Sequence, residues 1–443
     1  MNINDKPIKF LLLLLLGILL SEITFAQQRL TLKDALNYAI VNNSNVRKAK
    51  LDIEGGKYKT EEIKAQALPQ ITGEGTLTYN PIVGSVVFAD QSFKLGRAWN
   101  SSASVQLSQQ LFNQTVFTGL KAAKTSESYY KLTANLTEEQ IIEQVANSYY
   151  QVLVNRQSLI VIDTNIKNVK VVEKIIGNQY KNGLARKIDV DRIKVNLTNL
   201  ENQREQISNT VVQLENQLKF YMGMPVQNAI DLPYTELSNG TQTPVFPDSL
   251  NLAGRTEIRL LDIQTELYTL QRQAYKAEYY PNLSLISNYT RTGQSDKFDL
   301  YKNNSSAFWF GASAIGLSLR IPIFNGFATR ARIRQATVDI KKSQEDKRQT
   351  TNNLNLDFEN AKIQLRNSIS TINSQKQNVT LADEIYKSTQ NNYNNGLAAL
   401  TDLLDTENAL TEAQNSYTQA LLNYKIAEIQ LIKSNGNIKS LLK

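Results

Sequence analysis

Apolar positions along this chain change their spacing several times, and the order of changes occurs twice. Residues 31–67 carry apolar side chains at helical intervals, with Thr31 placed as a cap and Asp34 in the first turn. Pro69 stops that helix, because proline cannot continue it and biases Leu68 toward extended geometry. The spacing then drops to two. Ile71, Leu77 and Tyr79 fall on one face, and Thr72, Glu74, Thr76 and Thr78 on the other. Ser101 to Phe112 alternates in the same way, with Ala103, Val105, Leu107 and Leu111 against Ser102, Ser104, Gln106, Ser108 and Gln110. These are two strands of a hairpin, joined by a long polar loop over about 80–100. From Gln114 to Tyr180 there are two glycines and no proline, which predicts one helix about 100 Å long.

A second copy follows. At an offset of 212 residues, Val46 meets Ile258, Arg47 meets Arg259, Lys64-Ala65 meets Lys276-Ala277, and Pro69 meets Pro281. Further along, Leu111-Phe112-Asn113 meets Ile323-Phe324-Asn325. One residue further out of step, Tyr180-x-Asn182-Gly183-Leu184-Ala185 meets Tyr393-x-Asn395-Gly396-Leu397-Ala398, and Asp189 meets Asp402. An ordered series of matches like this identifies a tandem duplication. The second hairpin comprises Leu283 to Tyr289 and Trp309 to Ile321, with a loop over about 290–308. Trp99, Phe308, Trp309 and Phe310 sit near the loop ends. In the return helices, Leu403, Leu410, Tyr417 and Tyr424 recur every seven residues, and Ile207, Val211, Leu214, Leu218 and Tyr221 step four and three. That is coiled-coil spacing, so these helices pack side by side over long distances.

The expected organisation is a signal peptide over 1–26, a first repeat over 27–221 with its hairpin at 71–112, a joint over 222–252 rich in Pro, Asn and Thr, and a second repeat over 253–443 with its hairpin at 283–323. Lys6 and Lys9 precede the apolar run Phe10 to Leu20, and Thr24-Phe25-Ala26 supplies small residues at a cleavage spacing. No Cys follows it to carry a lipid. An exported chain whose later segments include no apolar helix can enter a membrane only through strands. Four strands of about ten residues, apolar on one face, have the span and alternation of an outer-membrane barrel, but four cannot close one. Several chains must therefore contribute strands to a common barrel.

Composition then removes competing functions. The 443 residues include no histidine and no cysteine. Imidazole and thiolate catalysis, zinc sites of the nitrogen and sulfur type and disulfides are excluded. Carboxylate or lysine chemistry stays open, as an enzyme reading ranked behind the others, and no catalytic, metal or cofactor residue is singled out. Glycine (19) and proline (9) together make up about 6%, roughly half of ordinary usage, which favours long unbroken helices. The net charge of +8 is spread along the chain rather than gathered on a stripe, so no nucleic-acid partner is expected. Without a phosphate-binding Gly-rich loop, any energy for transport must come from a partner.

The Asn182-Gly183 and Asn395-Gly396 turns reverse a long helix into its return, a task that glycine's tolerance of left-handed geometry suits. Together with the early Leu32-x-x-Ala35-Leu36-x-x-Ala39-x-x-x-Asn42-Asn43 segment, the two Tyr-x-x-Gly-Leu tips and the tandem helix–hairpin–long-helix order, the mature chain resembles the TolC-like outer membrane efflux protein family along essentially its whole length. The resemblance implies a mainly α fold with a membrane β-barrel. In it a homotrimer forms a 12-stranded barrel in outer-membrane lipid and a 12-helix periplasmic α-barrel, with a belt built from the joint and the C-terminal segment near 428–443. It implies an exit duct served by a periplasmic adaptor and an inner-membrane pump of the efflux or type I secretion kind. By the same resemblance, Gly183, Leu184, Gly396 and Leu397 form the adaptor-docking tips. Asp189, Asp402 and Asp405 line the constriction, and Tyr393 belongs to the network that holds it shut. One departure stands out: the arginine expected two residues after the second glycine is Ala398, while the first copy has Arg186 and Lys187 after its tip. Arg186 is expected to pair with Asp402 or Asp405 across a subunit boundary. The competing reading is an exported helical structural or adhesive protein without transport activity, its hairpins lying on a surface.

Overall fold

The computed structural model describes residues 29–233, 246–247, 249–302 and 306–442. The expected signal peptide over 1–26 and residues 234–245 of the expected joint lie outside the described residues. The chain divides into two compact units, one comprising residues 48–136 and 252–352 and the other the remainder. In chain order the helices are α1 (Leu32–Asn42), α2 (Ser44–Ala65), α3 (Gln114–Lys181), α4 (Lys187–Met222), α5 (Thr256–Ala277), α6 (Ala328–Asn394) and α7 (Leu400–Ser434). The strands are β1 (Gln70–Tyr79), β2 (Ser85–Phe88), β3 (Gln91–Lys94), β4 (Trp99–Phe112), β5 (Asn282–Ser295) and β6 (Phe308–Arg320). Helices α3 and α6 run unbroken for 68 and 67 residues, as their lack of breakers predicts. Each copy thus contributes a helix, a hairpin, a very long helix and a return helix.

In the strand-bearing unit, four antiparallel strands form one sheet in the order β1-β4-β5-β6. The β4–β5 ladder joins the hairpin of one copy to that of the other. Register carries the alternation across all four strands. Ile71 lies opposite Leu107, Tyr79 opposite Trp99, Leu283 opposite Leu319, and Leu285 opposite Leu317, so the apolar residues share a face. Thr72, Glu74 and Thr76 share the other face with Gln106, Ser104 and Ser102, and a 2.7 Å hydrogen bond links the Thr76 and Ser102 hydroxyls. Both outer strands, β1 and β6, are exposed along their length. Near one end of the sheet, Trp99 stacks between Tyr79 and Phe298, with ring centroids 4.6 and 4.7 Å away. Trp309 lies across Gly293, where a Cβ would come within 2.6 Å of the indole.

Two expectations about the loops are corrected here. Strand β5 does not end at Tyr289 but continues to Ser295, because Thr290, Thr292 and Gln294 keep the alternation and pair with Ser104, Ser102 and Asn100 of β4. The stretch 80–100 is not simply a polar loop. It contains the small hairpin β2–β3, whose Val86, Val87, Phe88 and Phe93 flank a two-residue turn at Ala89 and Asp90. Both turn residues have positive φ (50° and 62°), the hand that matches strand twist in a tight hairpin.

In the other unit, the helix expected over 31–67 is broken in two at its start. Thr31 and Asp34 form a reciprocal capping box at the head of α1. At Asn43 the backbone turns extended, and the side chain satisfies what the break exposes. Its Oδ1 accepts from the amides of Asn45 and Val46, and its Nδ2 donates to the Tyr221 carbonyl at 2.7 Å. Asparagine's local hydrogen bonding competes with the helix here and wins. Leu36 and Ala39 of α1 pack with Ile142, Tyr149 and Leu153 of α3 and with Leu218 and Met222 of α4. A separate core joins Phe358 and Leu365 of α6 to Tyr424 and Ala427 of α7, with Phe246 and Leu250 packed against it.

Helix α4 ends at Gly223, in the left-handed region at φ 72°. A Cβ there would stand 2.5 Å from the Asn42 carbonyl oxygen and 2.7 Å from its carbon, both backbone atoms that cannot yield. Gly223→Ala combines that clash with an unfavourable φ. It is expected to destabilise this unit by at least ~2 kcal/mol, read as a lower thermal midpoint of the purified protein.

Candidate functional site

The two helix reversals have the same construction. Helix α3 ends at Lys181 and Gly183 takes φ 70°; α6 ends at Asn394 and Gly396 takes φ 75°. The Leu184 amide donates to the Gln179 carbonyl, and the Leu397 amide to the Asn392 carbonyl, at 2.8 Å in both. The glycine amides donate to the carbonyls of Tyr180 and Tyr393, at 3.0 Å in both. These bonds satisfy the terminal carbonyls of each long helix, and the left-handed residue is glycine because a Cβ would be strained there. Each turn leaves its leucine outward, Leu184 at 78% and Leu397 at 79% exposure.

Past each turn lie the acids. Asp189, in the first turn of α4, accepts two hydrogen bonds from Arg186, Nε at 3.0 Å and Nη2 at 3.1 Å. Its side chain is 17% exposed, while that of Arg186 is 80% exposed. The guanidinium holds the Asp189 carboxyl below its usual range, against the opposing pull of burial. Tyr393, at the end of α6, is pushed up by burial and then by the charge of Asp189, so the first-copy acid lies near the second-copy tyrosine. Asp402 closes the head of α7 by accepting from the Ala399 amide at 3.0 Å. Asp405 lines a groove between α4 and α7, together with Ile188, Asp191, Arg192, Val195 and Leu404. Arg192 is the first-copy counterpart of Asp405, so that groove holds opposite charges from matched positions of the duplication.

Arg186, Asp189 and Tyr393 are therefore brought together, and Asp402 and Asp405 take separate places on α7. Within the chain Arg186 pairs with Asp189, three residues on, because its guanidinium reaches the first turn of its own helix. One buried acid was missed in the sequence. Glu407 on α7 is 5% exposed, and burial raises its carboxyl to about 7. Its position between Leu403 and Leu410, one heptad after Leu400, was the available signal. Beneath these groups lies a core of Ile162, Ile166 and Val169 of α3, Ile193 and Leu200 of α4, Tyr386 of α6, and Leu403 and Leu410 of α7. Among the described residues, no group of acids is placed to hold a metal ion, and no helix is long and apolar enough to cross a membrane.

A sheet with one apolar and one polar face, and duplicated helical hairpins ending in acidic heads and outward leucines, define a channel-forming chain of the outer-membrane type. Comparison with known proteins gives the class its name: the chain belongs to the outer membrane efflux protein family, which matches residues 35–224 and 249–437. It is 22% identical to the outer membrane protein TolC of Salmonella enteritidis over 447 residues, covering 97% of this chain and 87% of that protein. It is 23% identical to the alkaline protease secretion protein AprF of Pseudomonas aeruginosa, covering 94% and 85%. Its fold matches the outer membrane protein VceC of Vibrio cholerae with a TM-score of 0.74 at 16% identity, covering 91% and 96% of the two chains. The chain is an outer-membrane exit duct, which sets aside the structural or adhesive alternative, and its family is one of channels.

The Arg186–Asp189 pair carries a pH signature. A depressed carboxylate contributes stability that is present above its unfolded value and lost as pH falls through the lower folded value. Arg186→Ala is expected to move the Asp189 midpoint upward toward the ordinary carboxylate range, read by carboxyl-carbon NMR titration. Because the Arg186 guanidinium is largely open to solvent, the thermal midpoint at pH 7 is expected to change little.

Proposed function

We propose that the chain works as a homotrimer whose helical tips close the duct and open when a periplasmic adaptor docks, passing substrate delivered by an inner-membrane pump. The observation that carries this reading is the sheet with open edges β1 and β6. In hydrocarbon an unpaired row of backbone N–H and C=O groups is not tolerated, so β1 of one copy pairs with β6 of the next. Three copies give twelve strands, enough to leave a lumen, and the polar face that includes Glu74 suits water.

Threefold symmetry makes rings of Asp189, Asp402 and Asp405. Carboxylate rings at a constriction favour cations. Tyr393 and Arg186 hold the Asp189 ring in place, and Gly183, Leu184, Gly396 and Leu397 form the surface against which the adaptor seats. In this reading the pump selects the cargo.

Purified protein reconstituted in planar lipid bilayers is expected to conduct ions as a detergent-stable trimer; a water-soluble monomer without conductance contradicts the proposal. Asp402→Asn combined with Asp405→Asn is expected to lower the cation-over-anion preference several-fold, measured as a reversal potential in a salt gradient. Leu184→Arg with Leu397→Arg is expected to abolish export in cells while leaving the trimer and its conductance intact.

A further inference from the structure

Helix α7 carries its coiled-coil seam on Leu400, Leu403, Leu410, Tyr417, Leu421 and Tyr424. Two positions of that seam, one heptad apart on either side of Leu410, are polar: Glu407 and Gln414. Each has a buried Oε1 with no hydrogen-bond partner. One turn beyond Glu407, Thr411 receives a 2.7 Å hydrogen bond from Asn165 of α3, so the neighbouring polar group is already engaged. On α6, the Tyr386 hydroxyl, which accepts from Gln390, lies near enough to be pushed up by burial and then by the charge of Glu407. Among the described residues, no lysine or arginine forms a salt bridge with Glu407. On α3 and α4, Asp163 pairs with Arg204 and Lys170 with Glu201; on α6, Asp383 pairs with Lys387. Buried polar groups at seam positions weaken a coil and set its register. A carboxyl held there without a partner is tolerated when neutral and expels itself toward water when charged.

We propose that Glu407 is a protonation latch for the tip coil: neutral, it lets α7 pack against α3 and α6, and ionised, it loosens that packing and favours the open tip. The inference rests on reading the tip as the duct's closure, and it adds a residue that the family resemblance does not supply. Burial alone raises the carboxyl to about 7 in the packed coil, against 4.5 for its unburied value. The packed state therefore binds the proton more tightly. It is fully favoured below the lower value, loses ground as pH rises between the two, and loses no more above the higher one. The latch thus responds on the acid side of neutrality.

Hydrogen exchange of the α7 amides between Leu400 and Gln414, in the full-length protein in detergent, tests this. After correction for intrinsic rates, wild-type exchange is expected to rise about twentyfold between pH 5.5 and 7.5. In Glu407→Gln, which keeps the shape and cannot ionise, the rise is expected to vanish. Glu407→Leu is expected to exchange more slowly than wild type at pH 7.5. A flat wild-type profile overturns the latch, as does a Glu407→Gln profile that follows wild type. The rise should persist in Asp402→Asn/Asp405→Asn; its loss there would assign the response to those acids and overturn the proposal. Bilayer conductance over the same pH range separates the two readings. If exchange follows Glu407 while conductance does not, the latch stands and the placement of the closure at this coil fails.

Discussion

The two open edges of the four-stranded sheet are the constraint on which the rest depends. Strands β1 and β6 each present unpaired backbone groups, and the faces of the sheet divide into apolar and polar. In water such a sheet could be shielded by a loop or tolerated at an edge. In hydrocarbon the backbone groups must pair, and only closure with further strands achieves this. The duplication gives one chain four strands, and the β4–β5 ladder fuses the two hairpins into a single panel. Assembly is thus a requirement of the backbone's hydrogen bonding rather than an added property of the surface.

The helical unit meets a different demand. Long helices need a continuous partner stripe, which α3, α4, α6 and α7 provide with leucine, isoleucine and valine at coiled-coil spacing. Where the chain reverses, the two copies converge on the same turn, with glycine in left-handed geometry and the same pair of carbonyls satisfied. The acids that follow then diverge. Asp189 is tied to Arg186, Asp402 to its own helix head, and Asp405 lies in a groove beside Arg192. A duplication supplies matched positions, but each copy's neighbours decide what its carboxylate does.

Much of this was legible beforehand. The strand alternation predicted both faces, because period two is imposed by the pleat whatever the surroundings. Breaker-free runs predicted α3 and α6, and the Asn-Gly pairs located the tips. The break at Asn43 was not legible, since it depends on the Tyr221 carbonyl lying 178 residues away. The extension of β5 and the β2–β3 hairpin were missed because threonine-rich and mixed segments read equally well as loop.

By itself, then, the sequence determined what local periodicity and steric limits dictate: the duplicated order of elements, the two-faced strands, the reversals and the absence of imidazole and thiol chemistry. Tertiary structure alone decided the β4–β5 pairing of the two hairpins, the Asn43–Tyr221 contact, and the burial of Glu407. The reason is physical. A side chain's period follows from its own backbone, but its hydrogen-bond partner and its share of water depend on groups that only folding brings near.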